Sequence, residues 1–111
     1  MYKNQNTLLK VIEFDGIGLH SGEKVKIALS PAAVDTGIKF KTSNSLISAT
    51  WKNAIVSQLC TRIKFKDDAI STIEHLMAAV SGLGITNLII KINSNEVPIL
   101  DGSSKEFVEK I

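Results

Sequence analysis

The sequence contains few cysteines and few aromatic residues. Its single cysteine, Cys60, cannot form an internal disulfide or a zinc site built from cysteines alone. A metal site would therefore have to use histidine and carboxylate ligands. Aromatic residues make up 5% of the chain, with one tyrosine and one tryptophan, which leaves little to stack on nucleic acid bases.

Long apolar runs and a large charge excess are also missing. No apolar run approaches the ~18 residues needed to cross a bilayer, and residues 1–10 lack the basic start and apolar middle of a secretory signal. The net charge of +2 does not by itself indicate a polyanion binder. We therefore expect a cytoplasmic protein, and the length of 111 residues predicts one domain, residues 1–111.

Apolar and polar residues alternate through much of the first 70 positions. Segment 24–29 reads Lys-Val-Lys-Ile-Ala-Leu, and segments 38–41 and 62–66 alternate in the same way. This period of two predicts strands with one apolar face and one lysine-rich face, and sheets of that kind are mostly antiparallel. A further strand is predicted through 88–92.

The periodicity changes at Ser71, where a helix is predicted. Its start is expected at Ser71 or Thr72 and its end at the glycine-containing segment 81–84. A second helix is predicted from Ser103, with Glu106 completing a capping box. The fold class is therefore expected to be α+β, a two-layer sandwich of a mostly antiparallel sheet of about five strands with two helices on one face. The apolar stripe of the first helix consists of Ile73, Leu76, Met77 and Val80.

Glu74 and His75 stand next to each other near the start of the first predicted helix. At about 100° per residue both point away from the apolar stripe, on the side where Ala78 and Ala79 are also expected. Two interpretations follow from the residue types. Either Glu74 is a catalytic carboxylate and His75 a metal ligand, or Glu74 completes a capping box with Ser71 and His75 is a solvated surface residue.

The glycine-rich segment 16–22 contains the other histidine, His20. Its spacing does not match a dinucleotide-binding motif, and a tight hairpin loop that needs glycine is the simplest interpretation. Cys60 is most simply a small, half-buried residue.

Five motifs occur in one order along the chain: GIGLHSG, LCT, TIEHLMAA, GLGITN and NEVPILDGS. Together they resemble the first domain of the UDP-3-O-acyl-N-acetylglucosamine deacetylases, zinc amidases of lipid A synthesis in Gram-negative bacteria. The resemblance extends from about residue 7 to the end of the chain. Several long motifs in order are more specific than any one of them, so the resemblance favours the catalytic interpretation of Glu74 and His75.

The resemblance implies a role for each matching residue. His75 corresponds to a zinc ligand, and Glu74 to the general base that takes a proton from the zinc-bound water as it attacks the amide carbonyl. Leu19, His20 and Cys60 are implied to line the cleft that binds the substrate, a UDP-linked acylated amino sugar.

The chain also departs from the family pattern. The other two zinc ligands of the family belong to a His-Lys-x-x-Asp motif in a second domain, and that motif does not occur here. A one-ligand site does not hold zinc tightly. We therefore expect the chain alone to be inactive and to need the second domain as its partner.

Two alternative functions stay open from the residues alone. One is a regulatory fragment that pairs with a full-length homologue. The other is a small α+β domain that binds RNA or another polyanion through a lysine-rich sheet face. The basic residues assigned to that face are Lys24, Lys26, Lys39, Lys41, Arg62 and Lys64.

Overall fold

The computed structural model describes residues 5–18, 22–43, 45–49, 54–56, 61–65, 68–71, 73–94, 96–98 and 105–111. In this part of the chain, no helix is long and apolar enough to cross a bilayer. The elements, in chain order, are β1 (Ile12–Ile17), β2 (Lys24–Pro31), β3 (Ile38–Lys41), β4 (Leu46–Ser48), β5 (Ala54–Val56), β6 (Thr61–Phe65), β7 (Asp68–Ser71), α1 (Glu74–Gly82), β8 (Leu88–Ile92) and α2 (Lys105–Lys110).

Five of the strands form one sheet in the order β1-β2-β8-β3-β4. All neighbours pair antiparallel except β3 and β8, which are parallel. Strand β8 lies in the middle, and its core-facing residues Leu88, Ile90 and Ile92 are buried. The expected α+β fold with a mostly antiparallel five-stranded sheet and two helices is confirmed.

A second, three-stranded sheet was not expected. It has the order β5-β6-β7, with both pairs antiparallel. The segment that contains Arg62 and Lys64 is a strand, β6, but it lies in this sheet rather than in the five-stranded one. The lysine-rich face expected on the larger sheet therefore does not include Arg62 or Lys64.

The hydrophobic core lies on one face of the five-stranded sheet. Val25, Ile27 and Leu29 of β2 are at most 2% exposed, whereas Lys24 and Lys26 point to the opposite side and are exposed. Strand alternation places the buried residues of β3, β4 and β8 on the same side. Residues of α1 and α2 belong to the same core, so both helices cover this face.

Helix α2 is attached to the sheet through β1. The ring of Phe107 packs against that of Phe14, with 5.0 Å between the centroids. The Lys110 ammonium group lies over the Phe14 ring and donates a hydrogen bond to the backbone oxygen of Glu13. A helix of six residues is not stable alone, so these contacts, together with its packing on α1, keep α2 in place.

Residues 5–7 form an N-terminal strap that crosses the start of β8. Asn87, which is 3% exposed, connects it to the rest of the fold. Its Nδ2 donates to Oε1 of Gln5 (2.8 Å), and its Oδ1 accepts from the backbone N–H of Gly37 (2.9 Å). The Thr7 hydroxyl donates to the backbone oxygen of Asn87 (2.6 Å). One buried amide thus joins the strap to the turn before β3.

Replacing Asn87 by alanine is expected to lower the free energy of unfolding by about 1–3 kcal/mol, because the Gly37 N–H and the Gln5 side chain lose a buried partner. Urea denaturation measures this change. The matched control is Asn93→Ala, since Asn93 is exposed and accepts one hydrogen bond, from the Lys26 N–H. Equal effects of the two substitutions would contradict the connecting role of Asn87.

Candidate active site at the start of helix α1

Helix α1 begins at Glu74, with Ile73 as its N-cap residue and no side-chain capping hydrogen bond. The cap expected at Ser71 or Thr72 is therefore wrong, because Ser71 is the last residue of β7 and pairs with Arg62. The chain leaves a strand and enters the helix within three residues. A capping box between Ser71 and Glu74 is ruled out as an explanation of Glu74.

The other end of α1 agrees with the expectation. Gly84 has a φ of +74°, its N–H donates to the Ser81 oxygen, and the Ile85 N–H donates to the Val80 oxygen. These two bonds form the Schellman motif, in which a residue with left-handed backbone ends the helix. The position at which α1 ends is thus determined by the sequence around Gly84.

Glu74 and His75 lie outside the buried stripe of α1, as predicted. Both are half-buried, and Ala78, which lies between them around the helix axis, is exposed. The Oε1 atom of Glu74 is shielded from solvent. The carboxylate and the imidazole therefore lie at the border between the core and the outer side of the helix.

The expectation for Ala79 is wrong. Ala79 was expected on the outer side with Ala78, but it is 1% exposed and belongs to the core. Helix α1 packs against α2 as well as the sheet core, so its buried arc is wider than a single stripe of four residues. The exposed alanine surface is reduced to Ala78.

The glycine-rich segment connects β1 to β2, which pair antiparallel with Ile17 opposite Lys24, in agreement with the hairpin that its simplest interpretation predicted. The Gly18 N–H donates to the Glu23 oxygen (3.0 Å) and the Gly22 N–H to the Gly18 oxygen (2.9 Å). Gly22 has a φ of +69°, a conformation that glycine adopts without strain. Leu19 and His20, which belong to this loop, lie outside the described residues, as does Cys60.

Segment 96–98 brings the base of this loop and the start of α1 to one place. Gly18 forms a β-bridge with Pro98, and Ser71 forms one with Glu96. The Val97 N–H donates to the Ser71 oxygen (3.1 Å). Glu96 and Pro98 are only two residues apart along the chain. Their bridge partners, Ser71 and Gly18, therefore both lie within about 10 Å of the same short segment. The glycine-rich motif and the residue directly before the TIEHLMAA motif thus both pair with the NEVPILDGS motif.

Glu96 is a residue that sequence reasoning did not single out. It is 4% exposed, one of two buried polar or charged residues in the described part of the chain, the other being Asn87. A buried carboxylate is rare unless it has a partner, and Glu96 does make polar contacts. Its only sequence signal was its place inside the NEVPILDGS motif.

The described residues do not hold a complete metal site. They contain no group of three His, Cys, Asp or Glu side chains close enough to bind a metal ion. A catalytic zinc usually takes three protein ligands. Within this part of the chain, the half-buried His75 fits the role of one ligand, so further ligands would have to come from elsewhere.

The family model described as UDP-3-O-acyl N-acetylglycosamine deacetylase matches residues 5–111. The chain belongs to this family. The assignment confirms the family recognised from the five sequence motifs.

Curated relatives in the deacetylase family carry the name UDP-3-O-acyl-N-acetylglucosamine deacetylase. The protein from Legionella pneumophila (strain Corby) is 44% identical over 108 residues, which cover 94% of this chain and 36% of the relative. That from Wigglesworthia glossinidia brevipalpis is 45% identical, over 96% of this chain and 38% of the relative. The chain therefore spans little more than a third of the length of these deacetylases.

Proposed function

We propose that this chain is the first domain of a zinc-dependent amidase that removes the acetyl group from UDP-3-O-acyl-N-acetylglucosamine in the cytoplasm, a step of lipid A synthesis. One observation carries the proposal. Glu74 and His75 stand side by side in the first turn of α1, half-buried and outside its core stripe. The membership of the chain in the deacetylase family supports it.

In this proposal His75 provides one zinc ligand, and a second domain provides the others. Zinc, when bound, would supply Lewis acidity that polarises the amide carbonyl and lowers the pKa of its bound water to about 7. His75 suits this task because the end of α1 is fixed by the Schellman motif and the start by β7, so the imidazole is held on a rigid element.

Glu74 is proposed to act as the general base. Its carboxylate takes a proton from the attacking water, whose oxygen forms the new bond to the acetyl carbon. The C–N bond then breaks as the proton held by Glu74 passes to the amine nitrogen, so that the amine and acetate are released and Glu74 is again a carboxylate. Glu74 is half-buried and its Oε1 is shielded from solvent, and a general base in this position acts on a water within hydrogen-bond reach.

The second domain is proposed to dock on the helical layer. Ala78 is exposed on the outer side of α1, and its small side chain allows another surface to approach the helix backbone closely. The helices also expose apolar side chains, Leu83 at 43% and Val108 at 41%. Leu19, His20 and Cys60 are proposed to contact the substrate in the cleft between the two domains.

A chimera tests the proposal. The matching segment of the Legionella pneumophila relative is replaced by this chain, and acetate release from UDP-3-O-acyl-N-acetylglucosamine is measured with zinc present. The chimera is expected to be active, and His75→Ala is expected to weaken zinc binding by at least about 100-fold, measured by competition with a chelator. A folded, zinc-loaded chimera without activity, or full zinc affinity in His75→Ala, would refute the proposal.

A further inference from the structure

The outer face of the five-stranded sheet, opposite the helices, carries most of the excess positive charge of the chain. We name this surface the lysine face. It carries five lysines against two carboxylates, a net charge of +3, whereas the whole chain has a net charge of +2. The remainder of the chain therefore carries a net charge of −1. The lysines are Lys24, Lys26, Lys39, Lys41 and Lys91, and the carboxylates are Glu13 and Asp15 of the edge strand β1.

Two of these lysines are direct neighbours without a compensating charge. Lys41 of β3 and Lys91 of β8 are paired in register on the parallel strands. Like charges opposite each other destabilise a sheet. Neither lysine forms an ion pair within the part of the chain that the structure describes, whereas Lys26 contacts Glu13 at 3.4 Å. The fold thus retains an unfavourable pair of charges that an anionic partner would relieve.

An open cleft of about 400 Å³ lies between these lysines. The cleft is lined by Lys26, Lys41 and Lys91 and by Ala28, which is next to Lys91 in the register of β2 and β8. The Glu13 carboxylate also lines it, and this carboxylate is paired with Lys26. Asn93 also lines it, and its Oδ1 accepts a hydrogen bond from the Lys26 N–H (2.9 Å). Because Oδ1 is held in this way, the Nδ2 donor of Asn93 is directed elsewhere and is available to an oxyanion.

Exposed apolar side chains flank the lysines on the same face. Leu46 of β4 is opposite Lys41 and is 48% exposed, and Ile17 of β1 is opposite Lys24 and is 53% exposed. The two aromatic residues in the strands of the five-stranded sheet, Phe14 and Phe40, both point into the core instead. Among the residues that the structure describes, this face presents lysines and aliphatic side chains but no aromatic ring, a combination that suits anionic lipid headgroups better than nucleic acid bases.

We propose that the lysine face binds the surface of a bilayer that contains anionic phospholipids. The lysine ammonium groups contact the headgroup phosphates, and Leu46 and Ile17 lie at the level of the interface. The face is five strands wide, about 20 Å, so several headgroups fit on it at once. This proposal does not depend on the deacetylase activity, because the lysine face lies on the side of the sheet opposite α1.

Vesicle sedimentation tests the proposal with the chain as it is. Vesicles with about 30 mol% phosphatidylglycerol in phosphatidylcholine are compared with phosphatidylcholine alone, at about 0.1 M and about 1 M salt. We expect binding to the anionic vesicles at the lower salt concentration and loss of that binding at the higher one. Equal binding to both vesicle types, or no binding to the anionic ones, would overturn the proposal.

Charge reversal locates the binding surface. Lys91→Glu is expected to weaken partitioning onto the anionic vesicles about 30-fold, since one attractive charge becomes repulsive. The substitution places opposite charges at 41 and 91, so it is expected to leave the fold intact or more stable. Lys41→Glu is expected to weaken partitioning and to preserve the fold in the same way, because it also places opposite charges at 41 and 91. Circular dichroism checks that both variants are folded.

The matched control is Lys105→Glu, which makes the same change of charge on α2, where the lysine side chain is 74% exposed. It is expected to change partitioning less than about threefold. An equal loss in Lys105→Glu and Lys91→Glu would show that net charge alone drives binding and would overturn the assignment to the lysine face. Tighter binding of this face to an RNA oligonucleotide or an acidic peptide than to the vesicles would overturn the choice of partner.

Discussion

Glu74→Gln in the chimera with the Legionella pneumophila relative is expected to lower kcat for acetate release by about 10²–10⁴-fold. Glutamine has nearly the shape of glutamate, but its amide cannot take a proton from water at neutral pH. The change therefore removes the proposed base and leaves the packing around the half-buried side chain nearly unchanged. Zinc content, measured by atomic absorption, is expected to stay the same, because the proposal assigns zinc binding to His75.

The control for this prediction is Glu109→Gln. Glu109 lies on α2, its side chain is 64% exposed, and it loses the same charge without any proposed role in the reaction. The kcat of the Glu109→Gln chimera is expected to stay within about twofold of that of the unsubstituted chimera. If Glu74→Gln retained more than a tenth of the activity, Glu74 would not be the general base. If it lost zinc together with activity, the carboxylate would act on the metal site instead of on the water.

The parts of the fold that depend on local sequence could be predicted. The alternation in 24–29 correctly predicted which side of β2 is buried, because a period of two leaves one consistent assignment of faces. Gly84 correctly predicted the end of α1, since few other residues adopt its backbone conformation. Both features follow from a few neighbouring residues, so no knowledge of the tertiary structure was needed.

The parts of the fold that depend on pairing between segments distant in sequence could not be predicted. Segment 62–66 has the pattern of a strand, but nothing in that pattern states whether its partners are β2 and β8 or β5 and β7. Ala79 is buried in a core that also contains Phe107 of α2, a helix that begins more than 20 residues later. In each case the residue types were compatible with both arrangements, and the packing of other elements decided between them.

The candidate site also has features that local sequence predicts and features that depend on the pairing of distant segments. The outward orientation of Glu74 and His75 followed from the spacing of the apolar stripe and is observed. The meeting of the β1–β2 loop with the start of α1 did not follow from spacing, because it depends on the bridges from Gly18 and Ser71 to segment 96–98. The family resemblance rests on the order of the motifs along the chain. The structure shows the contacts that join them.

Phe107→Ala is expected to lower the free energy of unfolding of the chain by about 3–5 kcal/mol. Phe107 is 1% exposed and packs against Phe14 of β1, so its removal leaves a cavity between α2 and the sheet. A chain of this size has a total stability of about 5–15 kcal/mol. The midpoint of thermal unfolding, measured by circular dichroism, is therefore expected to fall by about 15 °C.

The neighbouring substitution Val108→Ala separates this effect from a change in helix propensity. Val108 is on the same helix, is 41% exposed and is expected to change stability by less than about 1 kcal/mol. Because α2 packs on α1, the loss of Phe107 is also expected to weaken the support of the helix that carries Glu74 and His75. Activity of the Phe107→Ala chimera should then fall at temperatures where the unsubstituted chimera is still active. Equal stability of the two variants would mean that α2 is not held on the sheet by the Phe14–Phe107 contact.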